Sequence, residues 1–182
     1  MEKTALRIRI FGDPALRQKS QEVKRVTDKH RELLSNMVQL MYEGDGIGLA
    51  SPQAGVSDAM IVVDAGSGLY KLINPKVIKK QGSQALEEGC LSVPGVCIRV
   101  RRAKKVKVTA LDEYGKDLVI EAEGLLACVL QHEIDHLKGK LITDYASLLD
   151  RFKIKKKLVG LSKRYKNERL PESKTKSCSV QL

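Results

Sequence analysis

The chain has no tryptophan and only two phenylalanines and five tyrosines among its 182 residues. Any core must therefore be built from aliphatic side chains. No apolar run approaches the roughly 18 residues of a membrane-spanning helix. The first eleven residues alternate apolar and basic side chains, as a strand does, and lack the continuous apolar region of a secretory signal. A cytoplasmic protein with no membrane partner is the expectation. Its four cysteines, Cys90, Cys97, Cys128 and Cys178, make no C-x-x-C pair and no evident disulfide framework. Histidine is also scarce: there are three, and two of them fall in one short stretch.

Acidic residues are scarce in one place. From residue 151 to the end, eleven Lys or Arg face only Glu168 and Glu172, so this segment carries +9 of the chain's net +11. The body is close to neutral. A basic end of this kind suits an acidic surface, of which nucleic acid is the usual one, although a solvated helix followed by a disordered end has the same composition.

Residues 124–139 read GLLACVLQHEIDHLKG and hold the pattern His132-Glu133-x-x-His136. Histidines four apart on a helix lie one above the other, so both imidazoles can reach one metal ion. Glu133 points about 100° away around the axis, where it can meet a water beside the metal without being a ligand. Leu125, Cys128, Val129, His132 and His136 follow helical spacing, and Gly139 is a natural stop.

Elsewhere the pattern predicts a helix over residues 27–42, capped by Thr27 or Asp28, with His30 on its surface. Strands are expected at 5–11, 59–64, 69–73, 96–100, 105–111 and 118–123. Asn74-Pro75 should end the third of these. Basic residues alternating with Ile98, Val100, Val106 and Val108 predict one packed face and one wet, positive face. A helix is expected over 149–165, with Leu149, Phe152 and Val159 on one side and Ile154, Leu158 and Leu161 on a neighbouring one, both docking on the body while its lysines and arginines stay in water. Helix, then strands, then helix implies an α+β fold: mixed or antiparallel strands around a central histidine-bearing helix, with an N-terminal and a C-terminal helix. Residues 1–168 read as one domain and 169–182 as a basic, disordered tail.

Two histidines leave a zinc-like site incomplete. The extended pattern HExxHxxGxxH fails, because its last position is Ile142. The downstream glutamates Glu168 and Glu172 lie in the basic tail, a poor place for a buried ligand. A cysteine is the third option. Cys90, between Gly89 and a proline-containing turn, is a better candidate than Cys97, Cys128 or Cys178.

Three motifs, in order, now stand out: Gly46-Ile47-Gly48-Leu49-Ala50-Ser51-Pro52-Gln53, Glu88-Gly89-Cys90-Leu91-Ser92 and Gln131-His132-Glu133-Ile134-Asp135-His136. Together they make the chain resemble the peptide deformylases over residues 5–165. Ser51 departs from the family, where alanine is usual. The resemblance implies one divalent metal ion, Fe²⁺ in most members with Zn²⁺ or Ni²⁺ as substitutes, held by Cys90, His132 and His136 with a water in the fourth position. It implies removal of formate from the N-formyl-methionine of new polypeptides, with Glu133 as general base and acid. It gives the oxyanion the side-chain amide of Gln53 and the backbone N–H of Leu91. Gly48 would pair with the substrate backbone, and Ile47, Leu125, Cys128 and Val129 would line an apolar pocket for methionine. The residues alone leave other functions open: a metallopeptidase, a catalytically silent binding module, or a nucleic-acid-binding protein with a structural metal. A partner for the basic end follows from the same resemblance, since the substrate emerges from the ribosome, whose surface is largely RNA.

Overall fold

Residues 6–167 are described in the structure, a computed structural model. The tail expected at 169–182 lies outside the described residues, as do Glu168 and Cys178. Strands β1 (Gly48–Ala50), β2 (Met60–Asp64), β3 (Leu69–Gln81), β6 (Lys105–Leu111) and β7 (Asp117–Glu123) form an antiparallel sheet in the order β1-β2-β3-β6-β7. Strands β4 (Gln84–Glu88) and β5 (Ile98–Arg102) form a separate antiparallel pair. Three α-helices complete the α+β fold: α1 (Asp28–Glu43), α2 (Gly124–His136) and α3 (Leu148–Lys166). Among the described residues, no helix is long and apolar enough to cross a membrane.

Strand β2 shows why the sheet sits where it does. Alternate side chains of a strand point to opposite faces. Ile61 and Val63 join the apolar cluster of α2, while Met60 and Val62 join that of α1. Both faces of the strand are thus covered, which is why its sequence is continuously apolar. Helix α1 starts at Thr27, whose backbone N–H donates to His30 Nδ1 at 3.0 Å. His30, expected simply at the surface, is therefore a capping residue, and its Nε2 lies 3.5 Å from Asp58. Helix α2 ends as the sequence suggests: Gly139 takes a left-handed conformation (φ 72°), and a Cβ there would meet the Arg17 carbonyl oxygen.

Several expectations fail for local reasons. Residues 6–10 form no strand; instead Arg9 donates to the Gln53 carbonyl at 2.6 Å and Phe11 to that of Ser92 at 2.7 Å. The segment stitches two loops together rather than joining a ladder. Strand β3 does not stop at Asn74-Pro75. It passes through a register shift there, with Asn74 at φ 54° and its side-chain amide bonded to both backbone groups of Val23. Strands β1 and β4 were not anticipated. Arg102 breaks the expected wet, basic face, because it is buried and paired with Glu88 and Asp135. Among the described residues, Cys90 and Cys128 are free thiols.

Candidate active site

Two short loops and one helix face converge at Cys90. Helix α2 is buried from Ala127 to Ile134, packed on the five-stranded sheet, and it offers His132 and His136 on one face. The carboxyl end of β4 leads through Gly89 to Cys90. His132 Nε2 and His136 Nε2 lie 3.1 Å apart, and Cys90 Sγ is 3.3 Å from His136 Nε2. All three ligand atoms fall within 4.8 Å of one another, and all three residues are buried. Tetrahedral bonds of metal–protein length would place such atoms about 3.3–3.6 Å apart, close to the two distances above and inside the 4.8 Å spread of the three, so the donor set can hold one divalent ion.

The protonation states support the same use. Glu88, fully buried, accepts from Arg102 and lies 2.9 Å from His132 Nδ1. Burial opposes its charge, but hydrogen bonds from His132 and Arg102 prevail and hold its carboxyl down at about 2. An ionised carboxylate only accepts, so the proton sits on His132 Nδ1 and Nε2 keeps its lone pair. Burial lowers His132 and lowers His136 further, favouring neutral imidazoles. Burial pushes the Cys90 thiol well up, and the Glu133 charge adds to this. A thiolate here needs a cation beside it, which a coordinated ion supplies.

Glu133 is fully buried, and neither carboxylate oxygen has a hydrogen-bond partner. Burial raises its carboxyl well above the ordinary range. Its neighbour is Gly48 on edge strand β1: a Cβ at that position would collide with the Glu133 carboxylate and come within 2.9 Å of Val129 Cγ1. Gly48 is therefore glycine for space. Just past β1, the 3₁₀ turn Ser51–Ala54 fixes Gln53. Its Oε1 accepts from Ala50 N at 2.7 Å, which turns Nε2 toward Cys90 Sγ, 3.5 Å away. Ser51 is accommodated by its hydroxyl, which donates to the Asp58 carbonyl and accepts from Met60 N at 3.3 Å.

The remaining expected residues are spread more widely. Leu91 packs with the cluster of α1, close to Gly44 and Gly46, and its backbone N–H has no partner among the described residues. Ile47 packs on the α2 cluster with Val129 and Cys128, whose thiol donates to Glu88 at 3.1 Å. Leu125 is 38% exposed, and Leu126 turns to the core in its place.

Four residues at the site have roles that the sequence did not suggest, although Glu88 and Asp135 stand within the motifs. Glu88, Arg102, Asp135 and Tyr145 form a chain behind His132, with Arg102 Nη1 and the Tyr145 hydroxyl both on Asp135 Oδ2, at 2.9 and 2.6 Å. Glu88 carried a readable signal: two residues before Cys90 at a strand end, its side chain should share the face of Cys90. Arg102 and Tyr145 carried none.

A family model described as polypeptide deformylase matches residues 5–152. The chain belongs to the peptide deformylase family. A peptide deformylase of Halothermothrix orenii is 52% identical over 141 residues, covering 76% of this chain and 92% of that one. The crystal structure of a peptide deformylase from Legionella pneumophila is 40% identical with a TM-score of 0.82, covering 92% of this chain and all of that one. That of Synechococcus elongatus, solved with actinonin, is 39% identical with a TM-score of 0.80, covering 86% and 90%. The deformylase activity expected from the three motifs therefore holds, and the family is a metal-dependent one. Most of α3 lies beyond the part that the family model matches.

Proposed function

We propose that the chain hydrolyses the formamide of N-formyl-methionyl peptides, with Cys90, His132 and His136 holding one divalent ion, Fe²⁺ first and Zn²⁺ or Ni²⁺ as working substitutes. The observation that carries this is the meeting of those three donor atoms beside a buried, unpartnered Glu133 carboxylate. The donor set mixes one thiolate with two imidazoles and suits any of the three metals. When bound, the ion supplies Lewis acidity and lowers the pKa of a water toward neutrality.

The protein's own groups do the rest. Glu133 takes a proton from the attacking water as its oxygen bonds to the formyl carbon. As the C–N bond breaks, Glu133 returns the proton to the amine, so formate and a free amino terminus leave. A carboxyl whose pKa is raised by burial suits both halves of that transfer. Gln53 Nε2 and the Leu91 N–H stabilise the oxyanion, and the Oε1 bond to Ala50 keeps the amide from reorienting. Glu88 holds the His132 tautomer. The free edge of β1 at Gly48 takes the substrate backbone as an added strand, which reads any sequence equally. Ile47, Cys128 and Val129 form the wall for the methionine side chain, with Leu125 at its mouth.

Residues 1–168 act as one catalytic unit in the cytoplasm. The cations of α3 and the tail at 169–182 hold it against ribosomal RNA near the emerging chain. Support comes from the run Arg151–Lys166, which contains no acidic residue. Phosphate contacts predict binding that falls steeply with salt. Sedimentation with ribosomes should therefore weaken for a chain ended after Tyr165, and salt-insensitive or absent binding refutes this docking. The activity itself is tested by formate release from formyl-Met-Ala-Ser, using enzyme purified without oxygen, with casein as the control. Cleavage of casein without formate release would overturn the assignment.

A further inference from the structure

On the side of the molecule where α3 lies against the short 3₁₀ turn Ile142–Tyr145, there is a groove of about 720 Å³. That volume is in the range of small-molecule sites. It runs along α3 from Arg151 to Lys166, about 22 Å of helix. Nothing in the deformylase chemistry uses it.

Three features make it more than a gap between elements. Its floor is apolar, formed by Phe11, Ile154 and Leu158, with half-exposed Val159 at the edge. Its borders are cationic: Arg17, Arg151 and three lysines of α3 line it, against the single carboxylate of Asp144. At the end nearest the 3₁₀ turn, Thr143 is 8% exposed and its hydroxyl has no hydrogen-bond partner. A buried hydroxyl without a partner is costly, and Thr143 is one of the residues that line the groove. The two arginines at the same end have donors to spare. Arg17 bonds both the Gly139 carbonyl and Asp144 through Nη1, and Arg151 bonds the Ala146 carbonyl through Nε. Arg17 Nη2 and both Nη groups of Arg151 have no hydrogen-bond partner among the described residues.

We propose that this groove binds an amphiphilic anion, a single apolar chain ending in a phosphate or carboxylate. Arg17, Arg151 and the Thr143 hydroxyl receive the head, and the apolar floor along α3 receives the chain. Guanidinium groups are the matched donors for such heads. A bare phosphate would leave the floor unused. A nucleic-acid strand would use the cations while gaining nothing from Leu158 or a buried threonine.

The test is calorimetric titration of the full-length, metal-loaded protein with decyl phosphate and decanoate, both below their micelle concentrations. Inorganic phosphate and decanol serve as head-only and chain-only controls. One site per chain is expected, with at least one amphiphile binding about tenfold or more tighter than either control, as a charge-assisted hydrogen bond implies. Thr143→Val, close to isosteric, and Arg151→Ala should each weaken binding about tenfold. Leu158→Asp should remove it, and formate release should stay unchanged in all three. Failure of both amphiphiles to bind the wild type overturns the proposal. So does equal binding by all three variants, which would point to the active site. Binding only by a chain ended after Asn167 would make the groove a seat for the protein's own tail, which also overturns it.

Discussion

Helices α2 and α3 are both rich in aliphatic residues, yet they sit in the molecule very differently. Every residue of α2 from Ala127 to Ile134 is buried, and its polar side chains are used: Gln131 bonds the backbone of Ala103 and Ala127, and His132 meets Glu88. In the longer α3, only Ile154 and Leu161 are buried. Leu148, Leu149 and Phe152 are 84%, 75% and 83% exposed. The expected docking of both apolar stripes of α3 is thus half wrong. The stripe through Ile154, Leu158 and Leu161 meets the body, and the one through Leu149, Phe152 and Val159 faces outward. A helix enclosed on all sides fixes the job of each residue, whereas a helix on the rim fixes only one stripe.

That difference predicts where substitutions matter. The largest effect belongs to the network behind α2. Arg102→Ala leaves the buried Glu88 carboxylate without its guanidinium and should cost about 3–5 kcal/mol, measured by denaturant unfolding of the metal-loaded protein. The pH dependence follows from Glu88, whose carboxyl is lowered from 4.5 to about 2. Its stabilisation is fully present above 4.5 and is lost as pH falls toward 2. The gap between wild type and variant should therefore narrow across that window. A gap that widens in acid would mean that Glu88 is not held ionised.

Next in size is Gln53→Leu, expected to lower kcat by about 10²–10³-fold while leaving metal content unchanged. A change in KM alone would remove Gln53 from the oxyanion role. The cleanest contrast between the helices is the same truncation made in each. Val129→Ala in α2, where the side chain is fully buried, should cost about 1.5–3 kcal/mol. Val159→Ala in α3, where it is about half exposed, should stay within about 0.5 kcal/mol. Equal losses would show that α3 is held more tightly than its exposure indicates.

The same contrast explains what the sequence could reveal. The histidine spacing, Gly139 and the apolar positions of α2 are local constraints, and they are written within sixteen consecutive residues. Gln53 and Cys90 were reachable through their motifs. Glu88 with Arg102 was not, because the register of β4 on β5 sets Glu88 opposite Ile98 and Arg102 opposite Gln84, and the two meet only through the long, buried Arg102 side chain. Asn74-Pro75 misled because the bonds to Val23, which carry β3 through the bulge, come from fifty-one residues away. In α3 the composition offered two apolar stripes, and only the surface of the body decides between them.

The central claim is that Cys90, His132 and His136 hold the ion while Glu133 moves the proton. It is tested most directly by Glu133→Ala, measuring metal per chain and formate release on the same sample. The account predicts unchanged metal content and turnover lowered by about 10²–10⁴-fold. Loss of the metal, or formate release at the wild-type rate with the metal in place, would contradict it.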